Sequence, residues 1–149
     1  MKKIKSVMFA FVLAGLTLVS CSSDDSGPAP TIEGKWNQLK TVVKVANGGS
    51  STIKYDDNVT GCDKNFLEFV PGGVFKDVVY FKQGGDCNAN VSDNGMWAKT
   101  NEKLIITNGG NLSGSYDIQR LTNGELQISA ARDVGGIVTT TTIYMEKAR

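Results

Sequence analysis

The chain contains no histidine among its 149 residues. That absence removes the commonest general base, the usual imidazole ligand of zinc and every triad built on His. Cysteine is scarce, at three residues. Neither sign of charge dominates, with 16 basic against 15 acidic side chains. No basic patch stands out, so nucleic acid is not an expected partner. Helical periodicity is almost absent. The glycines fall at turns, and none forms a phosphate-cradling loop that opens a helix. No apolar run is long enough to span a bilayer, since the longest covers 13 residues, 7–19, against roughly 20 for a helix. With no catalytic constellation visible, no enzyme activity, metal or cofactor is expected.

What is present begins at the N-terminus. Lys2, Lys3 and Lys5 precede the apolar run, and Leu18-Val19-Ser20-Cys21 closes it. This layout resembles a bacterial lipoprotein signal with its lipobox. The resemblance implies a signal peptide over residues 1–20, cleavage, and acylation of Cys21, which ties the chain to a lipid bilayer. Two or more acyl chains hold a protein stably where one holds it only marginally. Residues 21–30 then form the lipidated N-terminus and a small, acidic, proline-containing tether that cannot bury apolar area. Ser23-Asp24-Asp25 is similar to a surface-export signal, so the expected location is the bacterial outer membrane, exposed at the cell surface, with a periplasm-facing anchor as the alternative. Loss of the three signal lysines takes the basic count from 16 to 13 against 15 acidic residues.

Residues 31–149 read as one all-β domain of adequate length for a single core. Nine segments carry the β-branched and alternating patterns, residues 34–45, around 51–55, 66–70, 74–82, 95–100, 103–107, 116–121, 125–130 and 139–147, with 86–95 a polar loop; a barrel of about eight strands is expected from them. Asn123-Gly124 is the strongest hairpin signal. Successive strands joined by short turns predict an up-and-down antiparallel barrel, because closure removes exposed edges. Cys62 precedes the strand at Phe66, and Cys87 follows its hairpin partner. In an oxidising compartment these two predict a disulfide across that open hairpin end.

Period-two alternation places Phe75, Val79 and Phe81 on one face with Asp77, Leu126 with Ile128, and Tyr116 and Ile118 with Arg120. Core packing and a ligand cavity both fit such faces, because an eight-stranded barrel can be filled or can hold one small molecule. Asp86, Asn88 and Asn90 begin a calcium-loop pattern. The template fails at Val91 and Trp97, where glycine and a bidentate carboxylate are required. Asp56, Asp57 and Asp77 lie in no glycosidase-like motif.

Gly34-Lys35-Trp36, Cys62-Asp63-Lys64-Asn65 ahead of Leu67-Glu68-Phe69, and Gly72-Gly73 followed by Phe75 occur in a characteristic order. Cys87 ahead of Gly95-Met96-Trp97, Leu104-Ile105-Ile106, Tyr116-Asp117-Ile118 and Leu126-Gln127-Ile128 continue it. Together they resemble the lipocalin-like domain of many bacterial surface lipoproteins. The resemblance implies that Gly34 and Trp36 close one end of a barrel, with Lys147 or Arg149 as the candidate cover. It also implies non-catalytic binding of a small apolar or amphipathic molecule. The candidate cavity is then Phe75, Asp77, Val79, Phe81, Trp97, Ile118, Arg120 and Ile128, with Asp77 or Arg120 orienting a polar end. The alternative is a packed barrel acting through its surface on an envelope protein partner, as an adhesion or inhibitor module.

Overall fold

The computed structural model describes residues 28–149; the signal segment and Cys21 lie outside the described residues. Nine strands follow one another: β1 (Gly34–Val45), β2 (Ser50–Lys54), β3 (Phe66–Val70), β4 (Val74–Gln83), β5 (Asp86–Thr100), β6 (Lys103–Thr107), β7 (Gly114–Leu121), β8 (Glu125–Val134) and β9 (Ile137–Lys147). A single 3-10 turn, Gly110–Leu112, joins β6 to β7. From β3 to β9 each strand pairs antiparallel with the next, and β1 pairs with both β3 and β9. Eight strands therefore close into a barrel, with β2 as an additional ribbon on β1.

Two findings differ from the sequence expectation. The polar stretch after Gly85 is strand, not loop: residues 86–92 pair with β4 out to Gln83. Gly84 and Gly85 adopt positive φ, 65° and 97°, which is what a two-residue turn matched to strand twist requires. The segment lacks apolar alternation because this end of the ribbon is exposed on both sides. The Asn123-Gly124 hairpin is where the sequence places it, but neither residue has positive φ. Instead the Thr122 hydroxyl accepts hydrogen bonds from the Gly124 and Glu125 amides, holding the turn by a side chain.

One end of the barrel is filled. Trp36, Phe69, Phe75, Leu104, Leu126, Ile128 and Met145 are sealed from solvent there. Phe69 anchors the cluster, 5.3 Å from Phe75 and edge-on to Trp97 at 5.6 Å between ring centres. The β3–β4, β5–β6 and β7–β8 turns and the entering N-terminal segment all lie at this closed end.

The other end is built differently. β1 gives one edge wholly to β9, from Trp36 to Val45. Its second edge is divided, with residues 34–36 against β3 and residues 40–44 against β2. β2 pairs with β1 alone, so sheet does not cover the wall between β2 and the upper half of β4. Residues 55–65 fill that place, and buried Asn65 splices them in. Its Oδ1 accepts from the Tyr80 amide at 2.7 Å, and its Nδ2 donates to the Tyr55 hydroxyl and the Asp57 carbonyl. Its own amide donates to Asn58, and its carbonyl accepts from Asn37.

The Cys62–Cys87 disulfide fixes the same segment. Cys87 lies within β5, in register with Lys82 of β4. The bond thus ties the loop before β3 to the β4–β5 ribbon. Replacing Asn65 with alanine strands the Tyr80 amide and Asp57 carbonyl without partners. An Asn65→Ala variant is expected to lose about 3 kcal/mol of unfolding free energy, measured by urea titration.

Candidate functional site

At the closed end, Trp36 stands at the base of the barrel with its indole N–H donated to the Ile32 carbonyl at 2.7 Å. The Lys147 ammonium lies 4.4 Å from the centre of the indole ring and also donates to the Glu33 carbonyl. Desolvation over the ring pushes the Lys147 amine below its ordinary range, against a smaller opposing pull from the Glu33 carboxylate. Gly34 has φ +107°, and a Cβ there would stand 2.8 Å from the Lys147 ammonium. The glycine, the tryptophan and the lysine form one plug; the cover over Trp36 is Lys147 rather than Arg149.

Towards the open end the interior is no longer filled. A cavity of about 400 Å³ is bounded by Gln38, Thr41, Ile53, Tyr55, Asp77 and Val79, with Asn65 and Leu112 completing its wall. Alternation along β1 and β4 turns Thr41, Asp77 and Val79 inward. The bulge at Leu39 keeps that phase after Gln38, because register steps from Gln38–Met145 to Lys40–Tyr144. Two grooves also occur on the outside, one of 470 Å³ beside Pro30 and Trp97 and one of 750 Å³ beside Lys35 and Lys64. Volume alone would favour the latter. The 400 Å³ cavity is the better binding candidate because its walls are the inward faces of β1, β2 and β4.

Its electrostatics are uneven. Gln38 donates to the Thr41 hydroxyl at 3.2 Å. Burial pushes the Tyr55 hydroxyl above the ordinary phenol range; the Asn65 hydrogen bond acts against it, and the Asp57 and Asp77 charges add to it. Burial likewise raises the Asp77 carboxyl. At the cavity edge the Tyr116 hydroxyl donates to the Leu112 carbonyl at 3.0 Å. Its own titration is raised by burial and partly lowered by the Arg132 charge. Among the described residues, no group of three or more His, Cys, Asp or Glu side chains is placed to hold a metal ion.

Of the eight residues expected to line a cavity, Asp77 and Val79 do so. Phe81 continues the same face of β4 towards the exposed tip and is 41% exposed. Phe75 and Ile128 are core residues of the closed end. Trp97 and Ile118 pack against that core, and the Trp97 indole N–H donates to the Val70 carbonyl at 2.9 Å. Arg120 points outward and pairs with Glu125 at 2.6 Å. The register step from Ile118–Ile128 to Arg120–Gln127 leaves Gln119 as an extra residue. Alternation counted straight through that bulge puts Arg120 on the wrong face.

Sequence periodicity missed Gln38, Thr41, Ile53, Tyr55 and Asn65. The first two lie either side of a bulge, and the last two lie in irregular backbone where no period exists. A family model for the lipocalin-like domain matches residues 32–128. No curated protein matches the chain.

Asp77 generates a pH-dependent expectation. Its carboxyl titrates higher in the folded chain than the unfolded value of 3.8. Its stabilising contribution is therefore complete below that value and is lost as pH rises through the folded pKa. Asp77→Asn is expected to melt at a higher temperature than the parent at pH 7. The gap should close as the pH is brought below 3.8, and melting curves at both pH values test this.

Proposed function

The chain belongs to the lipocalin-like domain family, and from that premise we propose that it binds a small amphipathic molecule in the open-end cavity without chemical turnover. The observation that carries this reading is the contrast between the ends of one barrel. The closed end is packed and plugged at Trp36. The open end keeps about 400 Å³ between inward-facing strands, within the roughly 300–1,000 Å³ typical of small-molecule sites. The wall offers both apolar and polar surface, as orientation of a ligand requires. The chain carries no histidine for general-base work.

The chain is further proposed to be a lipoprotein held at the outer membrane by acylated Cys21, facing outward. Residues 22–30 separate that cysteine from the domain. Pro30 and Thr31 lie beside Gly72, Gly73 and Trp97 at the closed end. The tether thus enters the domain at the end opposite the cavity. Palmitate labelling that requires Cys21, with surface protease accessibility of intact cells, tests the anchor and its side.

A second reading, docking of an envelope protein, draws on an apolar strip on the outer face. Val74 and Met96 are cross-strand partners, as are Ala98 and Ile105, and the three larger side chains are each more than a third exposed. A thermal-shift panel of amphiphiles separates the readings. A ligand at about a hundredfold over its Kd is expected to stabilise the fold by about 2.7 kcal/mol. A midpoint unmoved across the panel would count against the cavity and leave the strip.

A further inference from the structure

The geometry points to an amphiphile with a cationic, hydrogen-bond-donating head, a primary or secondary ammonium, seated against Asp77 with its hydrocarbon towards Ile53 and Val79. This rests on the small-molecule reading above and adds the polarity of the head. The assignment excludes amphiphiles whose head is a lone carboxylate.

The argument runs through the donors in the wall. Asp77 faces inward from β4, opposite Leu67 of β3 and Ser92 of β5. Among the described residues it has no ion-pair partner and accepts no side-chain hydrogen bond; the four salt bridges lie elsewhere. Two amide side chains of the same wall donate elsewhere. Both amide hydrogens of Asn65 go to Tyr55 and Asp57, and the Gln38 amide goes to Thr41. The Tyr55 and Thr41 hydroxyls accept in these bonds, and no side chain of the wall donates to the half-buried carboxylate.

Charge points the same way. The cavity is bounded by three carboxylates, Asp56, Asp57 and Asp77, against the single ammonium of Lys54. Lys54 belongs to the outward face of β2, in register with Lys40, while Asp77 belongs to the inward face of β4. A carboxylate head entering this wall would meet three carboxylates, a selective penalty against the wrong ligand. An ammonium would pair with Asp77 in a charge-assisted bond, with the Tyr55 hydroxyl oxygen as a neighbouring acceptor. Beyond the polar pole, Ile53 is 59% exposed and Phe81 41% exposed, leaving apolar surface along the route outward for an alkyl chain.

The test uses three probes of one chain length, decylamine, decanol and sodium decanoate. Each is titrated below its micelle concentration into the protein at pH 7, followed by calorimetry. Decylammonium is expected to bind at least about tenfold tighter than decanoate, with decanol between them. Asp77→Asn is expected to bring the three affinities within about threefold of one another while decanol binding persists, and its melting curve reports that the fold is intact. Decanoate binding as tightly as decylammonium, or a preference that survives Asp77→Asn, would overturn the head-group assignment and leave the small-molecule reading standing. Failure of all three probes to bind parent and variant alike would overturn both.

Discussion

The structure depends on how β1 shares its two edges. Its pairing with β9 closes the barrel and removes the free edges that an open meander of this length would expose. Because the second edge is divided between β3 and β2, closure by sheet alone stops halfway up the wall. A polar interior cannot tolerate unpaired backbone at such a place. Asn65 solves the problem with a side chain that presents a donor and an acceptor at once, standing in for the ladder that β2 and β4 do not form. Leucine, with the same branched skeleton but no polar atom, would leave the Tyr80 amide without an acceptor.

The same division explains why one barrel has two characters. At the closed end every strand contributes an inward apolar residue, and the aromatic cluster of Trp36, Phe69, Phe75 and Trp97 fills the space. The plug adds little beyond burial: an ammonium over an indole is worth roughly 0.5–2 kcal/mol depending on exposure. Its importance is geometric, since Gly34 must lack a Cβ for Lys147 to lie where it does. At the open end β3 and β6 have run out, and the inward positions of the longer strands carry Thr41, Asp77, Asn88 and Asn90. Too few apolar side chains remain there to fill the interior.

The barrel and the pairing order from β3 to β9 were legible because they rest on short-range signals, whereas the placement of β2 outside the barrel was not. The Gly72-Gly73 and Asn123-Gly124 turns and the apolar alternation at Phe66–Val70 and Lys103–Thr107 each constrain a neighbour in the chain. The cysteine pair was legible for the same reason, since consecutive strands bring residues before and after a hairpin together. The cavity was not. Arg120 was misplaced by a single extra residue at Gln119. Phe75 and Asp77 share a strand face, yet one is core and the other cavity, because depth along the barrel axis leaves no mark in a period of two. Tyr55 and Asn65 act from irregular backbone, where contact is decided by hydrogen bonds 10 and 15 residues apart in sequence. Such contacts have no periodic signature.

Asp77 decides which of these features bear on function. A carboxyl raised by burial opposes folding whenever it ionises, and threonine or asparagine at that point of β4 would avoid the cost. Wall residues around it show that the fold can satisfy polar groups when it must: Asn65, buried to 2%, has a partner for every polar atom. The fold bonds every polar atom of Asn65 internally, and it leaves the Asp77 carboxylate, which still reaches solvent, open to a ligand. The same reasoning separates Asp77 from Asp56 and Asp57, which are exposed to water and need no partner. The open end is therefore a frame around one half-buried carboxylate without an ion-pair partner, braced by the Asn65 splice on one side and the Cys62–Cys87 bond on the other.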